Sequence, residues 1–222
     1  MKEKEQIAEI KYIAVEGVIG AGKTSLSKKI KEKLNARSIQ EQFDINPFLE
    51  KFYSDRKRYA FQTQMFFLIN RFKQQEELNQ EELFTDYLVS DYLFEKDRIF
   101  AYMNLTSEEL KLYESIYPLL ARNLRKPDLV VFLQSSTERL MYNIKNRNRK
   151  IERSISKSYI EELSEAYNHF FFRYNSTPLL IVNSTEIDFV NSEDDFDELF
   201  KQIFRADRGV KEYFKPEPKT AG

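Results

Sequence analysis

The stretch GVIGAGKT at residues 17–24 decides the fold of this chain. It follows a short apolar run, Tyr12–Val15, and opens a Lys-rich segment in which Leu26, Ile30 and Leu34 recur every four positions. The spacing G-x-x-x-x-G-K-[ST] between a strand and a helix is the pattern of a phosphate-binding loop, or P-loop. Its glycines let backbone N–H groups face a polyphosphate, and the positive end of the helix adds to the attraction. We therefore predict that this loop binds a nucleoside triphosphate.

The side chains of the P-loop suggest how it would hold ATP and Mg²⁺. Lys23 is placed to reach the β- and γ-phosphates, and the Thr24 hydroxyl is placed to join the coordination of the metal. The predicted nucleotide-binding residues are Gly17, Gly20, Gly22, Lys23, Thr24 and Ser25. The alternative is a chance match in an ordinary strand–turn–helix. The strand before the loop and the helix after it make that alternative the weaker interpretation.

Composition argues against several other classes of protein. The 222 residues carry 35 Lys and Arg against 36 Asp and Glu, and the net charge of −1 argues against a broad nucleic-acid or membrane surface. There is no Cys for thiolate chemistry, and a single His rules out a His-cluster metal site. Residues 1–9 do not read as a signal peptide, and no apolar run reaches membrane-spanning length. We expect a cytoplasmic protein with neither a nucleic-acid nor a membrane partner.

Short apolar strands alternate with helical segments along the chain, which is typical of an α/β protein with a parallel sheet. We predict a three-layer P-loop kinase fold, in which a five-stranded parallel sheet is flanked by helices and carries a lid. The predicted organisation is a flexible N-terminal arm at 1–10, one domain at 11–205 with its lid at about 147–157, and a flexible C-terminal tail at 206–222. Ligands of such sheets bind at the carboxyl ends of the strands.

Two carboxylates at predicted strand ends are candidates for chemistry. Asp91 ends an apolar strand and suits a direct or water-mediated contact to Mg²⁺, although an Asp before Tyr92 could also cap a helix. Glu41 ends the second predicted strand and is placed to accept a proton from an acceptor hydroxyl. Asp44 and Glu50 are close by, so the spacing alone selects Glu41 only weakly.

Two further pairs of residues could contact bound substrates. Arg147 and Arg149, one residue apart after a helix end, suit a lid over the transferred phosphate, because guanidinium groups match phosphate oxygens. Their alternative is a solvated basic helix terminus. On the long predicted helix, the Gln62 amide matches the edge of a nucleobase and Phe61 could supply a stacking face. The alternative there is that Phe61 lies in the core and Gln62 on the surface.

Taken in order, these motifs resemble the deoxynucleoside kinases, most closely the bacterial deoxyadenosine/deoxyguanosine kinase branch. The resemblance extends from about Tyr12 to Phe204, which is nearly the whole chain. The P-loop alone would not select this family, but the motifs that follow it do. The stretches that carry the resemblance are GVIGAGKTSL (17–26), EQFDINPFLEKFY (41–53), FQTQMFFLINRFKQ (61–74), SDYLFEKDRIFA (90–101), PDLVVFLQ (127–134), RNRKIE (147–152) and EAYNHFF (165–171).

The resemblance implies a reaction and an acceptor site. ATP, with Mg²⁺, would phosphorylate the 5′-hydroxyl of a deoxynucleoside, either deoxyadenosine or deoxyguanosine or both, in nucleotide salvage. Glu41 would be the general base on that hydroxyl, while Tyr53 and Glu152 would hold the sugar 3′-hydroxyl. Such enzymes are typically homodimers built through helices, so a homodimer is expected here.

The resemblance also implies which residues contact the base and the phosphates. Gln62 would bind the base, with Phe61 nearby in the same pocket, and Arg71 and Asp97 are the candidates for a second base contact. Asp91 would lie near Mg²⁺. The predicted catalytic residues are Glu41, Lys23, Arg147 and Arg149, and the predicted metal-site residues are Thr24 and Asp91.

The sequence departs from the family pattern at three positions. Tyr92 stands where the family commonly has an arginine that supports the acceptor hydroxyl, and either Arg98 or Arg71 could replace it from a neighbouring turn. Asn148 replaces the usual Gly between the lid arginines, which suggests a stiffer lid. Gln42 stands where many members have Pro after the catalytic Glu.

Two alternatives remain open at this point. A nucleoside monophosphate kinase resembling thymidylate kinase would need an arginine for the acceptor phosphate, and Arg71 is the one obvious candidate on the long helix. A nucleotide-binding module that has lost catalysis is supported by Tyr92 alone. The presence of Lys23, Glu41 and Asp91 argues against that module.

Overall fold

Six strands form the centre of the molecule in a computed structural model that describes residues 10–80 and 86–216. Their order across the sheet is β2-β3-β1-β4-β5-β6, and every neighbouring pair is parallel. The P-loop strand β1 therefore lies in the middle, between β3 and β4. The strands are β1 (Tyr12–Gly17), β2 (Arg37–Ile39), β3 (Leu88–Ser90), β4 (Leu129–Gln134), β5 (Leu179–Asn183) and β6 (Lys211–Phe214).

The described residues between the strands are mostly helical. A 3₁₀ turn at Lys150–Glu152 interrupts the succession of α-helices. A capping box opens the helix at Ser107–Ala121, because the Thr106 side chain and the Glu109 side chain each accept from the other's backbone N–H. The helices are α1 (Lys23–Leu34), α2 (Leu49–Ser54), α3 (Arg56–Gln80), α4 (Lys96–Asn104), α5 (Ser107–Ala121), α6 (Thr137–Arg147), α7 (Lys157–Arg173) and α8 (Glu193–Phe204).

The core lies on both faces of the central strands. Every residue of β1 is buried, as are the first five of the six residues of β4. Strands buried on both faces read as continuous apolar runs rather than as alternating patterns, which is why the sequence predicts them well. The predicted α/β architecture, with helices flanking a parallel sheet, is confirmed.

The predicted count of five strands is wrong by one, because β6 lies inside the segment expected to be a flexible tail. This edge strand pairs with β5 and alternates exposed with half-buried side chains, so it has no apolar run to reveal it. The Lys211 ammonium donates to the carbonyls of Phe171 (3.1 Å) and Phe172 (2.8 Å) at the end of α7. These contacts fasten β6 to the rest of the domain.

Other predicted boundaries shift by a few residues. β2 ends at Ile39, so Glu41 lies in the loop after it, and α4 begins at Lys96 rather than at Tyr92. The predicted arm at 1–10 lies outside the described residues except for Ile10, which is buried. Residues 81–85 and 217–222 also lie outside them. Among the described helices, none is long and apolar enough to cross a membrane.

Candidate active site

The P-loop turn places its glycines where other residues would not fit. Gly20 and Gly22 have φ angles of 90° and 94°, in the left-handed region that favours Gly. A Cβ on Gly17 would lie 2.8 Å from the carbonyl oxygen of Leu133 in β4 and 2.9 Å from the Cβ of Ala21. Two glycines thus serve the turn itself, and the third allows the loop to pack tightly against the neighbouring strand.

Lys23, the first residue of α1, folds back over the loop. Its ammonium donates to the carbonyls of Gly17 (2.7 Å) and Val18 (3.2 Å). Burial, assisted by the nearby positive charge of Lys96, lowers the pKa of Lys23 to about 8. A cation held on main-chain carbonyls in this way is weakly solvated, and a polyphosphate bound in the loop would be a stronger partner for it.

A chain of hydrogen bonds joins the P-loop helix to the loop after β2. The Thr24 hydroxyl donates to one oxygen of Asp91 at 2.6 Å, and the other oxygen accepts the backbone N–H of Glu41 at 2.7 Å. Burial raises the pKa of Asp91 despite these hydrogen bonds. The alternative of a helix cap at Asp91 is wrong, because α4 begins five residues later.

Thr24 and Asp91 together match the donor set that a magnesium ion takes when it is bound with a nucleotide. Mg²⁺ usually keeps several waters and uses one or two carboxylates besides the phosphates of its substrate. No group of three or more His, Cys, Asp or Glu side chains that could hold a metal occurs within the described ranges. An ion at Thr24 and Asp91 would therefore take its remaining ligands from the nucleotide phosphates and from water.

Glu41 is held by two cations. One carboxylate oxygen accepts from Arg71 Nε at 2.8 Å, and the other accepts from Lys96 Nζ at 2.8 Å. Burial alone would raise the pKa of Glu41, but Arg71 and Lys96 outweigh it and hold the pKa well below its usual range. The carboxylate is therefore ionised at neutral pH, and the same two cations lower its affinity for a proton.

Arg71 also reaches a second carboxylate deeper in the protein. Its guanidinium forms a buried ion pair with Asp97, whose side chain also accepts from the Tyr113 hydroxyl at 2.8 Å. The Gln64 amide donates to the backbone carbonyl of Asp97 at 2.8 Å. Burial raises the pKa of Asp97, against the opposing effects of Arg71 and these hydrogen bonds. One arginine on α3 thus connects Glu41 with a polar cluster on α4.

One cavity brings these groups together, with a volume of about 340 Å³. Most of the predicted site residues line it, whereas Gly17 and Asp97 are buried and are not part of its lining. Phe52, Phe67 and Tyr159 supply apolar surface. The predicted residues that line the cavity are Gly20, Gly22, Lys23, Thr24, Ser25, Glu41, Tyr53, Arg71, Asp91, Arg147, Arg149 and Glu152.

The structure does not place Gln62 and Phe61 in this cavity, contrary to the prediction. Gln62 is exposed, and Phe61 is half-buried without lining the cavity. Gln64 takes the expected place, since it is buried and lies on the cavity wall. The physical reason is helical spacing: Gln64 and Arg71 are seven residues apart and share one face of α3, whereas Gln62 lies on the opposite side.

The two arginines predicted to form a lid converge on one carboxylate. Arg147, the last residue of α6, makes a bidentate pair with Glu152, with N–O distances of 2.7 and 2.6 Å. Arg149 lies 3.6 Å from Glu152 and stacks over the Phe43 ring at 4.5 Å. Between them Asn148 has φ 46°, the left-handed conformation that a Gly would adopt and that Asn tolerates better than most residues. Asn148 thus preserves the turn expected of a Gly.

Besides Gln64, Lys96 is a site residue that the sequence does not predict. Tyr92 is fully buried, and its hydroxyl receives a long hydrogen bond from Gln75 (3.4 Å), so position 92 does not supply a cation to the cavity. Arg98 is not the replacement either, because its guanidinium contacts Tyr102 and Glu114 instead. The quoted stretch SDYLFEKDRIFA contains Lys96, but no spacing rule distinguishes it from a surface lysine.

The comparisons with known proteins place this site in a family. The profile of the deoxynucleoside kinases matches residues 13–206. The chain belongs to the deoxynucleoside kinase family. The deoxyguanosine kinase of Bacillus subtilis (strain 168) is 35% identical over 197 residues, covering 86% of this chain and 95% of that protein. The deoxyadenosine/deoxycytidine kinase of the same organism is 30% identical over 210 residues, covering 91% and 95%.

Solved structures give the same answer for this deoxynucleoside kinase. The deoxyadenosine kinase from M. mycoides, with the products dCMP and a flexible dCDP bound, superposes with a TM-score of 0.75 at 28% identity. It matches 86% of this chain and 98% of that one. The same enzyme with bound dATP gives 0.75 at 26% identity, covering 87% and 98%. The chain is thus an enzyme that phosphorylates nucleosides.

Proposed function

We propose that this kinase transfers the γ-phosphoryl group of ATP, with Mg²⁺, to the 5′-hydroxyl of deoxyadenosine or deoxyguanosine. The observation that carries the proposal is the hydrogen-bonded chain from Thr24 through Asp91 to Glu41. It sets the P-loop and an ionised carboxylate at fixed positions in one cavity. Phosphoryl transfer depends mainly on such positioning and on charge stabilisation, because the protein makes few covalent changes itself.

In the proposed reaction, Glu41 accepts the proton of the 5′-hydroxyl as that oxygen bonds to the γ-phosphorus of ATP. The bond to the β–γ bridging oxygen breaks, and ADP leaves with the electron pair. Lys23 lies in the loop that would hold the polyphosphate, while Arg147 and Arg149 face the same cavity from the lid. Their positive charges would stabilise the phosphoryl oxygens during transfer.

Mg²⁺ is proposed to bind at Thr24 and Asp91. The fit rests on the Thr24 hydroxyl and the buried Asp91 carboxylate lying 2.6 Å apart beside the P-loop. When bound, the ion would offset negative charge on the β- and γ-phosphates. Asp91 also accepts the backbone N–H of Glu41, and this hydrogen bond holds Glu41 in place whether or not the ion is bound.

The base is proposed to be a purine, read by Gln64 and Arg71 beside Asp97. Arg71 donates and the Gln64 amide both donates and accepts, so these two side chains suit the acceptor atoms of a purine edge and the N–H groups beside them, while the buried Asp97 holds both in place. The apolar wall formed by Phe67 and neighbouring side chains would cover the faces of the rings. The names of two relatives, deoxyguanosine kinase and deoxyadenosine/deoxycytidine kinase, support a deoxynucleoside acceptor, and each name includes a purine deoxynucleoside.

The deoxyribose is proposed to lie between α2 and the lid. Tyr53 and Glu152 both line this part of the cavity. Burial, with the nearby charge of Glu152 adding to it, raises the pKa of the Tyr53 phenol far above its usual value, so its hydroxyl stays protonated and can donate. A 3′-hydroxyl between them could accept from Tyr53 and donate to Glu152.

The test is turnover of the four natural deoxynucleosides and of thymidylate with Mg-ATP. We expect deoxyadenosine or deoxyguanosine to give the highest kcat/KM. Faster phosphorylation of thymidylate than of thymidine would favour a nucleoside monophosphate kinase. ATP binding without transfer to any deoxynucleoside would sink the proposal and favour a non-catalytic module.

We also propose that the kinase is a homodimer and that it acts in the cytoplasm. It rests on the resemblance to a family of helix-paired dimers, and α5 exposes two leucines seven residues apart, Leu112 and Leu119. Light scattering should give a mass near twice that of the chain. The double change of both leucines to Glu should halve that mass, whereas a monomeric wild type would remove this part of the proposal.

A further inference from the structure

Lys96 is a buried lysine that the predicted catalytic set does not include. Its side chain is 3% exposed and opens α4 at the wall of the cavity. Lysine is seldom buried without a partner, because removing an ammonium from water is costly. The position of its ammonium is therefore set by the groups that face it.

Two carboxylates face the Lys96 ammonium. Glu41 lies 2.8 Å away and Glu16, fully buried in β1, lies 3.9 Å away. Glu16 is itself fixed, because its oxygens accept the backbone N–H groups of Gly17 at 2.8 Å and Leu93 at 2.8 Å. Lys96 thus joins the rigid end of β1 to the side chain of Glu41.

The turn before α4 places Lys96 at the first position of the helix. The Lys96 backbone N–H donates to the Leu93 carbonyl at 3.1 Å, so the chain turns at once into the helix. The Tyr92 ring lies 5.9 Å from the ammonium, packed underneath it in the core. The Tyr92 ring therefore packs against Lys96 on the core side, while Lys96 itself lines the cavity.

Arg71, the other cation on Glu41, does not fix the orientation of the carboxylate by itself. Arg71 holds one carboxylate oxygen of Glu41 but is shared with the buried Asp97. Lys96 holds the other oxygen. With both cations present, the carboxylate is fixed in plane and direction. With Arg71 alone it could rotate away from the acceptor hydroxyl.

We propose that Lys96 is the positioning residue of the acceptor site, holding the Glu41 carboxylate at the orientation from which it accepts the 5′-hydroxyl proton. The inference rests on the proposed role of Glu41 as general base. It assigns to a lysine on α4 the supporting cation that position 92 does not supply. The nucleoside itself is bound by other residues, so loss of Lys96 should affect turnover and not binding.

The experiment compares Lys96→Met, Lys96→Arg and the surface control Lys111→Met with wild type. Misplacing a catalytic group by about 1 Å costs roughly 100-fold in rate, so kcat of Lys96→Met should fall by about 100-fold. The dissociation constant for the preferred deoxynucleoside should stay within about threefold of wild type, since binding and catalysis separate in this way. Lys96→Arg should recover much of the lost kcat, and Lys111→Met should match wild type.

A second measurement separates positioning from damage to the fold. In Lys96→Ala, added propylammonium should raise kcat in a saturable way, because the cavity gives access to the vacated position, whereas propanol should not. A kcat within about threefold of wild type in Lys96→Met would overturn the proposal. Failure of both rescues would also overturn it. In that outcome Lys96→Arg is as slow as Lys96→Met, and a folded Lys96→Ala with wild-type nucleoside affinity does not respond to the amine. An inactive wild type would instead refute the proposed function.

Discussion

The Thr24 hydroxyl donates a hydrogen bond of 2.6 Å to the Asp91 carboxylate. Thr24 lies in the first turn of α1, which follows β1, and Asp91 comes directly after β3. The two residues are 67 positions apart in the chain, but β1 and β3 are neighbours in the sheet. The same carboxylate holds the backbone of Glu41. A single Asp therefore fixes the distance between the phosphate loop and the proposed general base.

Removal of the metal should stop turnover without releasing the nucleoside. Thr24 and Asp91 are proposed to hold Mg²⁺ with the nucleotide phosphates, while the deoxynucleoside contacts other residues. EDTA should abolish phosphorylation, and added Mg²⁺ should restore it. Calorimetry should show the same deoxynucleoside affinity with and without EDTA. Full activity in EDTA would contradict the proposed metal site.

Glu41→Gln should remove most turnover while leaving nucleoside binding nearly intact. General-base catalysis contributes about 10²–10⁴-fold, so kcat should fall within that range. Asp44→Asn is the matched control, because Asp44 is a nearby exposed carboxylate outside the cavity. If Asp44→Asn loses the activity and Glu41→Gln keeps it, the base has been assigned to the wrong residue.

The two glutamines on α3 offer a paired test of base recognition. Gln64→Leu should lower kcat/KM by about 10- to 100-fold, because a buried polar group that loses its partner costs about 1–3 kcal/mol. Gln62→Leu should leave kcat/KM unchanged, since Gln62 is exposed. Steady-state kinetics with deoxyadenosine and deoxyguanosine measure both. The reverse ranking would restore Gln62 as the base contact.

The lid arginines should act on the phosphates. Arg147→Met and Arg149→Met should each reduce kcat by about 10- to 100-fold, as expected when a charge-assisted contact worth roughly 1.5–3 kcal/mol is lost. Arg153→Met is the control, because Arg153 is exposed just after the 3₁₀ turn. Equal effects in all three variants would indicate a general loss of positive charge rather than specific contacts.

Asn148 should be replaceable by Gly but not by a β-branched residue. Its φ of 46° is easily adopted by Gly, whereas Val would strain the backbone by about 1–3 kcal/mol. Asn148→Gly should keep kcat and the melting temperature near wild type, while Asn148→Val should lower both. Thermal unfolding and turnover give the answer, and an unchanged Asn148→Val would mean that the turn relaxes without cost.

Patterns in the sequence predict the elements whose signal is local. The P-loop and the buried apolar strands are specified by short-range spacing, and they appear within a few residues of where they are expected. β6 was missed because an edge strand needs only alternate burial and Lys211–Phe214 lacks an apolar run. Gln64 and Lys96 were missed because their roles depend on which way a helix faces after packing. Spacing selects Glu41 only weakly, and the resemblance is what assigns it as the general base.

Arg71 contacts Glu41 and Asp97 at the same time. A nucleobase that moves the Arg71 guanidinium, either toward itself or toward Asp97, would change the ion pair between Arg71 and Glu41. In the proposed reaction, recognition of the base and activation of the sugar hydroxyl therefore share one side chain. Selectivity among deoxynucleosides should accordingly appear in kcat as well as in KM, because the wrong base would leave the catalytic carboxylate incorrectly set even after it has bound.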